Sequence, residues 1–297
     1  MTNEEALDRA AEWIADAEAL VIGAGAGMGV DSGLPDFRGP QGFWRAYPPY
    51  AEKKLVFTDL ANPRWFHEDP EFAWGFYGHR LDLYRRTAPH AGYELLRAWG
   101  RALKHGCFVF TSNVDGQFQA AGFAESEIVE AHGSIHWLQP LRATGELFPA
   151  DEVAVSVDTD TMRALPPLPH HPKRDEILRP NILMFGDGGW DSQRAQEQEH
   201  RFERWLEELR GDRLVVVECG AGSAVPTVRW QSEQLVSMLG GALVRINTRE
   251  PDVPARPGRQ IGTAAAGGDG IGISLGALEA LRAIAARLPR GDTGPSA

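Results

Sequence analysis

Leu20-Val21-Ile22-Gly23-Ala24-Gly25-Ala26-Gly27-Met28-Gly29 is an apolar run that breaks into alternating glycines and leads into Val30-Asp31-Ser32-Gly33. Consecutive aliphatic residues favour a buried strand, and the glycines permit a tight turn in which backbone N–H groups approach a ligand without Cβ obstruction. Val30 to Gly33 would begin a second helix or turn, and a helix N-terminus at that place favours a pyrophosphate. The spacing does not match G-x-G-x-x-G, and no lysine follows to complete a phosphate-binding loop of the Walker type. From these glycines alone, a plain strand-to-helix turn stands level with a nucleotide site.

Upstream, Thr2 and Glu5 fit a capping box, and Ala6, Ala10, Trp13, Ile14 and Ala17 recur at helical spacing, which predicts an amphipathic helix ahead of the strand. Downstream, short apolar runs at Cys107–Thr111, Ile128–Ala131, Ile182–Phe185, Leu214–Cys219 and Leu243–Ile246 read as further strands. Helical patterns over Phe72 to Arg86, Gly92 to His105, Ser192 to Arg210 and Gly276 to Leu288 supply the crossovers that a parallel sheet needs. The expected fold is α/β, a doubly wound, Rossmann-like parallel sheet. Two stretches do not fit that sheet: residues 40–90, with many aromatics and prolines, and residues 134–179, rich in Pro and His with one strand-like run at Val153–Val157. Both read as insertions in a single domain spanning 1–297, the first a helical lid and the second a smaller module. The aromatic residues of the first stretch, Trp44 and Trp74 among them, fit a core better than a site. Arg290 to Ala297 reads as a frayed end.

The 297 residues are 43% apolar and 24% charged, as in ordinary globular proteins, and carry a formal net charge of −11 with no Lys/Arg block, so neither nucleic acid nor an anionic membrane is the expected partner. No apolar run is long enough to span a bilayer. Glu4, Glu5 and Asp8 near the start oppose an export signal, and a cytoplasmic protein is expected. Cys107 and Cys219 are the only cysteines, each within an apolar run, and two buried thiols are expected rather than a disulfide framework or a four-cysteine metal site.

Just past the glycines comes Ser32-Gly33-Leu34-Pro35-Asp36-Phe37-Arg38-Gly39, and the stretch from Gly25 to Arg38 as a whole resembles the opening NAD motif of the sirtuin family, with Gly29 where a Ser is usual. Thr111-Ser112-Asn113-Val114-Asp115 is similar to that family's T-Q-N-I/V-D motif, with Ser112 in place of Gln, and His132-Gly133 follow in the family's order. In isolation Asn113 and Asp115 would be turn formers and His132 a polar group at a strand end. The resemblance implies NAD as co-substrate, with catalytic roles for His132 as general base, Asn113 ordering the ribose and water, and Asp115 binding the carboxamide. It further implies cofactor contacts from Gly25, Ala26, Gly27, Asp36, Phe37, Arg38 and Ser112. Less sharply, Gly220-Ala221-Gly222-Ser223 stands for a G-T-S-L segment, Ile246-Asn247 for an I-N pair, and Gly276-Ala277 for the end of the adenine pocket. That adds Gly220, Gly222, Ser223, Asn247 and Ala277. Arg179-Pro180-Asn181-Ile182-Leu183-Met184-Phe185-Gly186-Asp187 resembles a wall of the acyl-lysine channel, contributed by Met184, Phe185 and Gly186; its bland reading is a buried strand ending in a turn.

Most sirtuins follow the catalytic His with a zinc module of four cysteines, and Ser134 to Arg179 contains none. His136, His170 and His171 are nitrogen donors in that stretch, but adjacent His170 and His171 beside prolines read as a solvated loop, so neither a metal site nor zinc is expected. Trp137, Leu138, Leu147 and Phe148 can pack the module instead. The function implied is an NAD-dependent protein lysine deacylase acting on an acyl-lysine protein or peptide. An ADP-ribosyltransferase or NAD glycohydrolase with another ADP-ribose acceptor would use the same residues, and a non-catalytic NAD sensor would not need His132.

Overall fold

Thr2 Oγ1 accepts the N–H of Glu5 and the Glu5 carboxylate accepts that of Thr2, so the capping box opens a helix, α1 (Asn3–Asp16), that buries Ala6, Leu7, Ala10, Ala11 and Ile14. The computed structural model describes residues 1–36, 43–44, 47–209, 211–254 and 269–289. After α1 come β1 (Ala19–Ala24), a 3-10 helix (Ala26–Ser32), and short helices at Pro48–Glu52, Phe57–Leu60 and Trp65–Glu68. Then follow α2 (Pro70–Arg86), α3 (Ala91–Ala102), β2 (Cys107–Thr111), β3 (Ile128–Glu130), β4 (Gly133–Pro140), β5 (Phe148–Pro149), β6 (Ser156–Asp158), β7 (Arg163–Leu165) and β8 (Leu178–Ile182). The chain ends on α4 (Gln193–Glu207), β9 (Leu214–Cys219), α5 (Thr227–Leu239), β10 (Ala242–Ile246), β11 (Asp269–Ile273) and α6 (Ala277–Ala285).

The main sheet has the order β11-β10-β9-β1-β2-β3. Ala19 to Ala24 pair in parallel with Leu214 to Cys219, and β10 lies parallel to both β9 and β11. Every residue of β1, β2, β9 and β10 is buried, which is the two-sided burial of a parallel sheet and accounts for their unbroken apolar sequences. The chain winds from β1 outward to β3 and then resumes at β9 on the opposite side of β1. Strand order therefore reverses between β1 and β9, the place where doubly wound sheets open a crevice at their carboxyl ends. The α/β, Rossmann-like class read from the sequence is the class observed.

Two compact units divide the chain. The first holds Met1–Met28, His90–Phe110 and the described residues from Arg204 onward. There α6 packs on α1 and α3, and Arg287 reaches Asp8 (2.7 Å) and Glu4. The second holds Gly29–Pro89 and Thr111–Glu203. Its centre is α2, whose N-terminus is capped by Asp69 accepting the N–H of Phe72, and whose Trp74, Phe76, Tyr77 and Tyr84 are buried with Phe43, Tyr47, Tyr50 and Phe66. The aromatic residues of this region are core. Two small antiparallel sheets, β5-β4-β8 and β6-β7, complete the unit.

The strand expected at Ile182–Phe185 is displaced. Leu178–Ile182 is the strand, and it pairs antiparallel with β4 in a small sheet rather than joining the main one. β8 includes Pro180, whose missing N–H is tolerated because β8 is an edge strand. The run expected at Val153–Val157 is shifted to Ser156–Asp158, paired with β7. Of the helix or turn expected from Val30 to Gly33, Val30 to Ser32 are the end of the 3-10 helix and Gly33 is a turn. Cys107 and Cys219 are buried and unbonded to each other. Among the described residues no helix is long and apolar enough to cross a membrane. The expectation for Arg290 to Ala297 lies outside the described residues.

Candidate functional site

In the first unit the residues that follow β1, β9 and β10 meet at the carboxyl ends of their strands. A Cβ on Gly25 would stand 2.7 Å from Ala221 Cα, and one on Gly220, where φ is +64°, would stand 2.4 Å from the Gly27 backbone. The two strand ends are thus packed main chain on main chain, with Gly25 N–H donating to Cys219 O (3.0 Å) and Gly27 N–H to Gly220 O (3.1 Å). Asn247 ties in the third strand: its Nδ2 donates to Ala221 O (2.8 Å) while its Oδ1 accepts the N–H groups of Arg249 and Glu250. Ser223 is held by the Glu250 carboxylate through both its N–H and its hydroxyl. Ala26, Gly27 and Gly222 are partly exposed above this junction. A partly exposed main-chain surface built on small residues, at the switch point of a parallel sheet, fits the pyrophosphate and ribose of a dinucleotide. Ala277 is buried in the first turn of α6, directly after β11.

Below the junction the sheet carries a buried charge network. Glu218 on β9 accepts two bonds from Arg245 on β10 (2.6 and 3.1 Å), and Arg245 also meets Glu233 on α5 at 2.8 Å. His90 accepts the N–H of Gly92 on Nδ1, so Nε2 is left as the donor to Met28 O at 2.9 Å, which fixes α3 against the glycine-rich turn.

In the second unit Ser112, Asn113 and Asp115 follow β2, and His132 hydrogen-bonds to the Ser112 backbone. Asn113 and Asp115 are buried on the loop after β2, which is shaped by Asn113 N–H donating to Thr111 Oγ1 (3.0 Å) and Gln117 N–H donating to Asp115 Oδ1 (3.0 Å). Burial pushes the Asp115 carboxyl up to about 6, and the negative Glu130 pushes the same way, against the Gln117 N–H and the Arg80 charge. His132 lies between β3 and β4. Burial holds its pKa below the ordinary histidine value, opposed by a hydrogen bond to the Ser112 backbone, so the ring is a neutral base at pH 7. Its carbonyl accepts the N–H of Leu183 at 3.0 Å, which brings the segment of Met184, Phe185 and Gly186 beside it. Met184 turns into the core of this unit, whereas Leu183, Phe185 and Gly186 are exposed. Asp36 is half-buried on its loop, and Phe37 and Arg38 lie outside the described residues.

Two polar residues at this site, Arg80 and Glu130, belong to no motif in the sequence, and His136 has a partner that the sequence does not show. Arg80 is buried among the rings of Phe57, Phe76, Tyr77 and Tyr84 and donates to Tyr84 Oη at 2.8 and 3.0 Å. Glu130 is buried at the end of β3, 2.6 Å from Arg194 Nη2. His136 Nε2 meets the Asp115 carbonyl at 3.0 Å.

The donors between Ser134 and Arg179 do not fit zinc. His136 is engaged at Asp115, His170 at Leu168 O (2.7 Å), and His171 accepts the N–H of Lys173. Among the described residues no group of three His, Cys, Asp or Glu side chains is placed to hold a metal ion. His171 corrects one expectation: it is buried rather than solvated, because its ring packs edge-on against Phe148 and its Nε2 faces Glu146 at 3.5 Å. The β4–β8 sheet is knit instead by Gln139, Asn181 and Asp191, all buried. Gln139 Oε1 accepts from Asn181 Nδ2 and Asp191 N–H, each at 3.0 Å, and Gln139 Nε2 donates to Gly189 O at 2.8 Å.

Residues 25–205 match the family model described as Sir2 family. An NAD-dependent protein deacylase of Archaeoglobus fulgidus is 29% identical over 237 residues, covering 80% of this chain and 84% of that protein. A probable bifunctional ADP-ribose hydrolase/ADP-ribosyltransferase of Fusarium oxysporum f. sp. cubense is 29% identical over 259 residues, covering 82% of this chain and 43% of that protein. The crystal structure of a Sir2 homolog–NAD complex superposes with a TM-score of 0.63 at 25% identity, over 94% of this chain and 93% of that one. With the glycine junction at the strand switch, the buried Asn113 and Asp115, and a neutral His132 all lying within or beside the matched span, this chain belongs to the Sir2 family.

Proposed function

We propose that this chain is an NAD-dependent protein lysine deacylase. The observation that carries the reading is His132: a half-buried, neutral imidazole hydrogen-bonded to the Ser112 backbone, in the same unit as the buried amide of Asn113 and carboxyl of Asp115. A module that only bound NAD would have no use for a base held in this state. NAD supplies a nicotinamide–ribose bond whose cleavage makes ADP-ribose available as the acyl acceptor. Gly25, Ala26, Gly27, Gly220, Gly222, Ser223, Asn247 and Ala277 would hold its phosphates and adenosine, and the family motifs add Asp36, Phe37, Arg38 and Ser112 as further cofactor contacts. Asn113 and Asp115 would take the ribose and the carboxamide, and His132 would remove the ribose hydroxyl proton. The acyl-lysine protein or peptide would lie along Met184, Phe185 and Gly186. Zinc has no part in this reading.

A second reading, ADP-ribosyl transfer or NAD hydrolysis from the same site, is favoured by the likeness to the Fusarium protein over 82% of the chain. Incubation of the protein with NAD, with and without acetyl- and longer-acyl-lysine peptides, separates the two by the nicotinamide released. Release that requires peptide and yields acyl-ADP-ribose supports the deacylase. Peptide-independent release supports the second reading, and no release despite NAD binding rejects both. The variant His132→Ala should bind NAD and release nothing.

A further inference from the structure

The segment 179–189, which is most of β8 and the loop after it, has its two ends joined by charge. Arg179 Nη1 lies 2.8 Å from Asp187 Oδ2 and Nη2 donates to Oδ1 at 3.1 Å, with both side chains at 0% exposure. The same carboxylate accepts the N–H of Met184 on Oδ2 (3.3 Å) and that of Gly189 on Oδ1 (3.0 Å), while Arg179 Nη1 touches Met184 Sδ at 3.9 Å. Four donors therefore converge on one buried carboxylate, two from the guanidinium and two from the loop's own main chain. Between the ends, Leu183 N–H donates to His132 O (3.0 Å) and Phe185 N–H to Ala61 O (2.9 Å), with the Phe185 ring edge-on to Phe57 at 6.2 Å.

A fully buried ion pair is a poor source of stability, because apolar side chains of equal volume fill such a space without the desolvation penalty. Its directional bonds do something apolar packing cannot: they set the path of the main chain from Leu183 to Gly186. That path carries exposed Leu183 and Phe185 on the outside and is bonded directly to the residue proposed as base. We infer that Arg179 and Asp187 are a positioning pair, which holds the 183–186 main chain as the rail for the acylated substrate and registers that rail against His132. The inference rests on the deacylase reading above and names the residues that set how the acyl-lysine segment meets the base.

Steady-state kinetics of Asp187→Asn and Asp187→Glu, with peptide and NAD varied separately, test it. Loss of the charge in Asp187→Asn should raise the KM for acyl-lysine peptide about tenfold or more while the KM for NAD moves less than about twofold, and Asp187→Glu, which keeps the carboxylate, should recover part of the loss. Unchanged peptide KM, equal changes in both KM values, or no recovery by glutamate overturns the inference. Should Asp187→Asn fail to fold, hydrogen exchange on the unmodified protein decides: the amides of Leu183, Met184 and Gly189 should exchange as slowly as those of β4, and exchange at surface-loop rates overturns the clasp. A parent protein that shows no peptide-dependent nicotinamide release defeats the deacylase reading instead, and the exchange measurement still judges the clasp by itself.

Discussion

The substitution Asp115→Asn separates what this carboxyl does to the fold from what it does for chemistry. Burial and the Glu130 charge raise Asp115 from 3.8 to about 6. The folded protein therefore holds the proton more readily than the unfolded chain, and this group's contribution to stability falls as pH rises through that interval. At ~1.36 kcal/mol per factor of ten in proton affinity, a rise from 3.8 to about 6 makes the ionised form unfavourable by ~3 kcal/mol at neutral pH. Asparagine has the same shape, its Oδ1 can still accept the Gln117 N–H held at 3.0 Å, and it has no charge to desolvate. Asp115→Asn should thus increase the unfolding free energy by ~1–3 kcal/mol at pH 7.5 and by a small fraction of that at pH 4, while abolishing nicotinamide release. Urea unfolding followed by tryptophan fluorescence at the two pH values, with the m-value checked for constancy, measures it. No stabilisation at pH 7.5, or the same stabilisation at both, refutes the account of Asp115 as a carboxylate destabilised by its own burial.

Other expectations follow from the same geometry. Because burial disfavours the His132 imidazolium, the acid limb of kcat/KM should lie below the ordinary value of 6.5; a limb centred above neutrality would assign it to another group. Gly220→Ala, with φ at +64° and its Cβ 2.4 Å from Gly27, should lower stability by ~1–3 kcal/mol and weaken NAD binding in calorimetry, since backbone and not a side chain stands in the way. Arg245→Met should destabilise by ~3–5 kcal/mol by stranding the buried Glu218, and the double variant with Glu218→Met should regain most of it; equal losses in the two would contradict the coupling. Dialysis against EDTA should leave Tm within about 1 °C, because Gln139, Asn181 and Asp191 rather than a metal join β4 to β8; a large fall would reveal an ion.

The parts of the fold legible in the sequence were those with one dominant signal. Thr2 and Glu5 announce α1, and β1, β2 and β9 are runs buried on both faces, so hydrophobicity alone bounds them. Asp269-Gly270-Ile271-Gly272-Ile273 carries no strand signal, because two glycines and an exposed acid conceal an edge strand that depends on β10 for its register. The helix Thr227–Leu239 is hidden for a related reason: Trp230 and Met238 are exposed and blur its apolar face. At the site, family motifs point to Asn113, Asp115 and His132, whereas Arg80 and Glu130 are set apart by burial, which a linear pattern does not display. Arg80 did leave a trace, since Phe76 and Tyr84 stand four residues to either side and place it on the apolar face of α2. Nothing local marks Glu130, whose partner Arg194 comes from a distant helix.

The pairing of β1 with β9 also bears on biosynthesis. Ala19 waits for Leu214 and Ala24 for Cys219. At ~5–20 residues per second on the ribosome, the nascent strand spends on the order of 10–40 s without that neighbour. For that interval one flank of an entirely apolar strand is open, together with the backbone glycines that later close the junction. An apolar strand edge left open for that long is the kind of surface that pairs with other chains, so the pairing of β1 with β9 closes an aggregation hazard as well as a binding junction.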